Sequence, residues 1–395
     1  MQPKLRFGFS FSLLFLAAGL LAPLFVSAED TPAITKKSVV AVLQPFVDKH
    51  ALAGAVTLVA DKDKVLSLEA VGFADVAAKT PMPADAMFWI ASQSKSITAT
   101  AFMILVDEGK VKLDDPVEKY LPEFKGQWLT AESDNRHMLL KRPKHPITVR
   151  NVLSHTSGLP FRSAMEVPTL DLLPLRVAVQ SYAMTPLSFE PDSKYQYSNA
   201  GINTAGRIIE VVSGMPYETF LDKRLFEPLG MKDTTFWPNE EQLKRLAKSY
   251  KPNADKTDLE EITIAQLKYP LSDRMRQPMP AGGLFSTAAD VGRFCQMVLN
   301  GGTFEGKRYL SEEAVKTMTS KQTAAAVSTG YGLGWATNRG VFGHGGANAT
   351  NMTIDSNRGL ITVFMVQHAG FPKDGNKSQA AFVKAAEERF GSARK

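Results

Sequence analysis

Apolar positions along the chain recur in two periods, and each period dominates different stretches. Val39, Val40, Val42, Leu43, Phe46 and Val47 share one helical face, which predicts a helix over residues 35–50. The apolar runs 55–60 and 65–70 flank Asp61-Lys62-Asp63-Lys64 and predict a β-hairpin. Ile97, Ala101, Ile104 and Leu105 return to helical spacing, in a buried helix that stops near Gly109. Residues 125–146 are rich in charge and predict a surface hairpin or loop. Thr148 is placed to cap a helix through Leu153. Ile202, Ala205, Ile208, Ile209 and Val212 predict a helix from about Ala200 to Ser213, stopped by Gly214, with a second from about Tyr217 to Phe226. Residues 232–275 are weakly patterned and read as loops and short helices. Thr287 and Asp290 have the spacing of a capping box for the next helix, and Ser311 starts another. Strands then return at 332–336, 341–350, 352–355 and 360–366, with Asn357-Arg358-Gly359 turning the last pair. A final helix is predicted from Ser378 to about Phe390.

Strands therefore lie toward both ends and helices fill the middle. The expected fold is α/β (α+β): one antiparallel sheet flanked by helices, with a mostly helical lobe inserted in it. Residues 29–94 and 281–395 would form the α/β lobe and 95–280 the helical lobe. A cleft between such lobes is a natural place for chemistry. There is no internal repeat.

Residues 1–28 read as a secretory signal peptide. Lys4 and Arg6 are its positive start, Phe7 to Phe25 its apolar core, and Val26-Ser27-Ala28 its cleavage site. The alternative is an uncleaved anchor, against which Gly8, Gly19, Pro23 and the cleavage pattern argue. No cysteine follows, so it is not a lipoprotein signal. The expectation is a secreted or periplasmic protein, cleaved near Ala28, with no membrane span in the mature chain. The leader holds no acid, so its loss takes the formal charge from +6 to about +4. With no basic stripe interleaved with aromatics, nucleic acid is not indicated. Cys295 is the single cysteine; it lies in an apolar helical pattern and reads as core. Gly301 to Lys307 mimics a phosphate loop, but Arg308 stands where Ser or Thr is needed. Six scattered histidines include no paired zinc motif, and the chain has no GxSxG elbow.

The candidate chemistry starts at Ser92-Gln93-Ser94-Lys95. Ser92 and Lys95 share one face of the first turn of a helix. A serine needs a base to become a nucleophile, and a lysine with a lowered pKa can supply one. Taken alone, the spacing also fits a helix start followed by a surface lysine. Tyr197-Ser198-Asn199 precedes a helix. A tyrosine can relay a proton if the positive charge of Lys95 lowers its pKa, and an asparagine can hold a substrate amide. The competing reading is a buried tyrosine and an N-cap asparagine. Gly343-His344-Gly345-Gly346-Ala347 breaks a strand pattern, and its glycines permit close approach to the backbone. His155 follows the Leu153 helix and reads as a loop-fixing residue rather than a catalytic one.

In this order and spacing, the three motifs resemble those of the serine penicillin-recognising enzymes. The nearest branch holds class C β-lactamases, related D-alanyl-D-alanine carboxypeptidases and β-lactamase-like (family VIII) esterases. Its marks are Ser-x-x-Lys, Tyr-x-Asn and Lys/His-x-Gly, here Ser92 to Lys95, Tyr197 to Asn199 and His344 to Gly346. The resemblance covers nearly all of the chain after the leader. It implies that Ser92 attacks a carbonyl, that Lys95 and Tyr197 share the base work, and that the N–H groups of Ser92 and Ala347 form an oxyanion hole. It implies that Asn199, His344, Gly346 and Ala347 bind substrate and that no metal or organic cofactor is needed. Two departures stand out. His344 replaces the usual β-lactamase lysine, which weakens the hold on a substrate carboxylate. Asp192 replaces a glycine, so the Tyr197 loop is expected to bend differently. The reading is an exported serine hydrolase cleaving a small ester, amide or peptide through an acyl-enzyme, esterase- or β-lactamase-like. The alternatives are a D-alanyl-D-alanine carboxypeptidase and an inactive penicillin-recognising binding protein.

Overall fold

A strand buried on both sides organises the molecule. The structure is a computed structural model describing residues 38–391, so the leader lies outside the described residues. Strand β1 (Gly54–Ala60) is buried along its whole length. It sits inside a seven-stranded antiparallel sheet with β2 (Val65–Asp75), β3 (Thr80–Pro81), β4 (Ala336–Asn338), β5 (Val341–Gly345), β6 (Asn351–Asp355) and β7 (Leu360–Met365). The order across the sheet is β4-β5-β6-β7-β1-β2-β3. Leu58 of β1 faces Val363 of β7 on one side and Leu68 of β2 on the other. Successive side chains of a strand point to opposite faces. Val56, Leu58, Ile361 and Val363 accordingly enter one core, and Ala55, Val59, Leu360 and Phe364 enter another. Two-sided burial explains why β1 and β7 read as continuous apolar runs rather than alternating ones.

Helices that matter to the site are α1 (Ser94–Asp107), α2 (Val149–Leu153), α3 (Asn199–Ser213), α4 (Ala288–Leu299) and α5 (Ser378–Phe390). Helix α4 lies on the first face of the sheet. A Cβ on its Gly292 would come 2.8 Å from Leu58 Cδ1, so the glycine lets the helix pack closely on this strand without moving the leucine. Helix α5 covers the opposite face, with Phe382 stacked on Phe364 at 6.0 Å between ring centres. Helix α1 runs through the larger core and is buried from Ser94 to Leu105. Its polar side chains are satisfied internally, as burial demands. Ser96 Oγ donates to the Gly334 carbonyl at 2.7 Å and Thr98 Oγ1 to the Pro280 carbonyl at 2.8 Å. The structure is thus an antiparallel sheet flanked by helices, the fold class expected.

Several local expectations change. Residues 332–335 are not a strand; β4 begins at Ala336. Gly334 has φ 72°, and a Cβ there would lie 2.5 Å from Ala99 Cβ, so this segment bends to pack against α1. The capping box at Thr287 is half made. Thr287 Oγ1 accepts from the Asp290 N–H, but the Asp290 carboxylate turns to the Asp233 N–H and Thr234 hydroxyl. Residues 232–275 contain a hairpin, Ser249–Pro252 with Leu259–Ile262. The helix at Tyr217 passes into a π turn over Asp222–Phe226. The reciprocal box at Thr148 forms with Asn151, the hairpin in 125–146 pairs Leu129–Ser133 with Met138–Lys141, and α3 ends at Gly214 in a left-handed turn.

A buried ion pair lies at the end of the segment 232–275 and helps to anchor it. Arg276 Nε donates to Asp171 Oδ2 at 2.7 Å, with side-chain exposures of 2% and 0%. Arg276 also donates to the Phe236 and Leu271 carbonyls, and Asp171 accepts from the Lys268 N–H. Removing one partner strands a buried charge. Asp171→Ala is therefore expected to lower stability by about 3–5 kcal/mol, read from denaturant unfolding midpoints.

Candidate active site

Ser92 is presented by a strained turn. Phe88 and Trp89 pair with Ser286 and Phe285, and Ile90 N–H donates to the Leu284 carbonyl at 3.0 Å. Ala91 then adopts φ 46°, a left-handed conformation unusual for a residue with a Cβ. Trp89 Nε1 donates to the Gly282 carbonyl and Ser94 Oγ to the Ala91 carbonyl, fixing both sides of the turn. Ser92 sits in the short 3₁₀ turn Ala91–Gln93 that leads into α1.

Lys95, one turn on, is wholly buried. Its Nζ donates to Ser92 Oγ at 3.1 Å and to the Ala281 carbonyl at 2.6 Å. No carboxylate appears among these partners. Burial holds its pKa well below the usual lysine range, toward the uncharged amine. The Ala281 carbonyl was not singled out in the sequence, although the following Gly282-Gly283 marked a close approach. Ala281 N–H is in turn fixed by Asn203 Oδ1 at 3.0 Å.

Tyr197 comes from the loop before α3. Its phenol lies beside Ser92, close enough for the serine hydroxyl to act on its pKa, and Lys95 Nζ lies 4.7 Å from its ring centre. The electrostatics run opposite to the sequence expectation. Burial pushes the phenol's pKa up, only partly offset by the Ser92 hydroxyl. A lysine that is itself disfavoured as a cation does not lower it, so Tyr197 keeps its proton at neutral pH.

Asn199 is the first residue of α3, and Ser198 is the cap: its Oγ accepts from the Gly201 N–H at 3.0 Å. The Asn199 side chain is thereby released from capping. It is buried, and its Oδ1 has no hydrogen-bond partner among the described residues. The loop before it keeps the bend a glycine would make. Asp192 has φ 66°, and its carboxylate accepts from Asn151 Nδ2 at 2.6 Å. Asp is among the few residues that visit this region with little cost.

The end of β5 closes the site. A Cβ on Gly346 would lie 2.6 Å from the Ile90 carbonyl and 2.2 Å from Thr350 Oγ1, so close contact with the Ser92 turn requires a glycine here. Ala347 N–H has no acceptor among the described residues. His344 is buried and does not line the cavity. Its Nδ1 donates to the Gly345 carbonyl at 2.7 Å, and its Nε2 pairs with the Tyr331 hydroxyl at 3.1 Å. Burial lowers its pKa to about 4, so it is uncharged at neutral pH.

Ser92, Tyr197, Asn199, Gly346 and Ala347 line one cavity of about 340 Å³. Trp89, Phe161, Leu170 and Met279 give it apolar walls, and Gln266 is the residue of 232–275 that lines it. Among the described residues, no Asp, Glu, His, Lys or Arg side chain lines it. His155 lies behind it and holds the Tyr197 loop, while His137 and His145 are exposed. Cys295 is buried core, with its Sγ 3.9 Å from Met352 Sδ. The mimic of a phosphate loop is a small hairpin, Thr303–Phe304 with Lys307–Arg308.

The chain is similar to several known proteins. Protein Rv1367c of Mycobacterium tuberculosis is 32% identical over 368 residues, covering 82% of this chain and 88% of its own. Esterase EstB of Burkholderia gladioli is 34% identical over half of each chain. Penicillin-binding protein 4 of Amycolatopsis lactamdurans is 31% identical over 64% of this chain and 62% of its own. Among solved structures, EstCE1, a hydrolase with promiscuous acyltransferase activity, superposes with a TM-score of 0.74 at 24% identity, over 88% of this chain and 97% of that one; at that identity the likeness speaks for the fold. The sequence model described as Beta-lactamase matches residues 39–386, and the chain belongs to that family.

Proposed function

We propose that the protein is an exported serine hydrolase that cleaves neutral, apolar esters through an acyl-enzyme on Ser92. One observation carries this reading: Ser92 Oγ lies between a buried lysine amine and a protonated phenol, at a cavity without a charged side chain. Lys95 takes the Ser92 proton as Oγ attacks the ester carbonyl. The N–H groups of Ser92 and Ala347 hold the oxyanion. Tyr197 gives its proton to the departing alkoxide and recovers one from the Lys95 ammonium. Water then releases the acid by the same proton path in reverse. The cavity is lined by Ser92 and Ala347 and by Phe161 and Asn199, and we assign the first two to an α/β lobe of residues 29–94 and 281–395 and the other two to a helical lobe of 95–280. The leader, cut near Ala28, delivers the enzyme to the periplasm or beyond. No helix among the described residues is long and apolar enough to cross a membrane.

The uncharged cavity is what favours esters. β-Lactams and D-alanyl-D-alanine peptides carry a carboxylate, and burying it without a cation costs about 3 kcal/mol or more. The second reading, an amide or peptide hydrolase, rests on Asn199, whose free Oδ1 suits an amide N–H. A panel of an aryl butyrate, a chromogenic cephalosporin and a D-Ala-D-Ala peptide separates the two. The ester is expected to have a kcat/KM about 10²-fold above either anionic substrate. A cephalosporin or peptide turned over faster than the ester would reverse the assignment. No labelling of the well-folded protein by a fluorophosphonate or a fluorescent penicillin would make it a binding protein.

A further inference from the structure

Tyr197 is held by a residue that the chemistry does not use. The backbone N–H groups on either side of it both end on His155: Gln196 N–H donates to the His155 carbonyl at 2.9 Å, and Ser198 N–H to its Nδ1 at 3.2 Å. His155 is buried and has φ 61°, a conformation that surrounding contacts must enforce. Its ring packs on Tyr197 at 4.6 Å between centres. Its Nε2 meets the Tyr331 hydroxyl at 3.2 Å, and that hydroxyl meets His344 Nε2 at 3.1 Å. His344 Nδ1 ends on the Gly345 carbonyl at 2.7 Å.

The two ends fix every proton between them. Ser198 N–H can only donate, so His155 Nδ1 accepts and Nε2 carries the hydrogen. The Gly345 carbonyl can only accept, so His344 carries its hydrogen on Nδ1 and accepts at Nε2. Tyr331 must then accept from His155 and donate to His344. The chain runs in one direction, from the Tyr197 loop to the end of β5, with each group uncharged. Burial, which depresses both histidines, keeps it so.

We propose that His155, Tyr331 and His344 are positioning residues for this hydrolase: a directed hydrogen-bond chain that locks the Tyr197 loop to the oxyanion-hole end of β5. The proposal rests on the hydrolase reading above. Tyr331 does not line the cavity, and its hydroxyl is hydrogen-bonded to His155 and His344. The chain also accounts for the side chain of His344, which serves it rather than a substrate carboxylate.

The test is Tyr331→Phe, which removes the hydroxyl and keeps the ring. Expected are a kcat on the aryl butyrate about 10- to 100-fold lower, a KM within twofold of wild type, and fluorophosphonate labelling of Ser92 slowed by the same factor as kcat. His344→Gln places an amide oxygen near the position of Nε2, and it is expected to lose less of kcat than Tyr331→Phe. A merely structural role would lower the melting temperature and leave kcat per folded molecule unchanged; that result overturns the proposal. So does His344→Gln losing as much as Tyr331→Phe or more. If wild type itself takes no label, the hydrolase reading has failed instead.

Discussion

Ser92→Ala is expected to abolish fluorophosphonate labelling and to cut kcat/KM on esters by about 10⁶-fold, with the melting temperature nearly unchanged. In serine hydrolases loss of the nucleophile costs about this much, and what remains comes from the oxyanion donors and binding. The fold should tolerate the change because Ser92 is only partly buried and its hydroxyl anchors no backbone group. Its partners keep other contacts: Lys95 still reaches the Ala281 carbonyl. The check is active-site titration beside calorimetry on the same preparation. Labelling that persists in Ser92→Ala would place the nucleophile elsewhere and remove the basis for the proposed reaction.

Lys95→Met should be almost as damaging to turnover and gentler on the fold. Loss of the base is expected to lower kcat by about 10⁴-fold. Stability should hold or rise, because methionine fills similar space without an ionisable group. The sign follows from linkage. Burial depresses the folded pKa of Lys95, so between that pKa and the ordinary lysine value the unfolded chain binds one more proton than the folded one. Stability from this group therefore rises as pH rises toward the ordinary lysine pKa. Lys95→Met loses that contribution, so its melting temperature should climb less steeply than wild type between pH 7 and 10. In wild type, activity should fall as pH drops through the folded Lys95 pKa, where the amine takes up a proton and ceases to be a base. An equal pH slope in both proteins would mean that Lys95 is charged in the fold.

The elements that could be read from the sequence are those set by local pattern. Helix α5 spans the predicted residues because its apolar period and its bounds are local. The hairpin of β1 and β2 and the box at Thr148 are likewise written in a few adjacent residues. Ser92 and Lys95 meet because a helical turn requires it, and only their meeting with Tyr197 depends on the fold. What escaped depends on distant partners. The Asp171–Arg276 pair spans 105 positions, and His155 and Tyr331 span 176. Gly332-Leu333-Gly334-Trp335 has the composition of a strand, but contact with α1 decides its path. The pKa of Tyr197 was misjudged for the same reason: Lys95 is a cation on paper, and only its burial shows otherwise. Asp192 adopts the left-handed conformation that glycine most readily takes, which its residue type alone does not announce.

A cavity lined by no charged side chain offers an incoming molecule no ion pair at close range. Capture there rests on shedding water from Trp89, Phe161, Leu170 and Met279. Trp89 fixes the Ser92 turn and Phe161 stacks on Tyr197 at 6.3 Å, but the Leu170 and Met279 side chains make no such contact with the proton-transfer groups. On the proposed reading, exchanging Leu170 or Met279 for a smaller or bulkier side chain would change which acyl or alcohol portion fits while Ser92, Lys95 and Tyr197 stayed in place. Diversification of substrate range among such proteins can then proceed by repainting walls, one residue at a time.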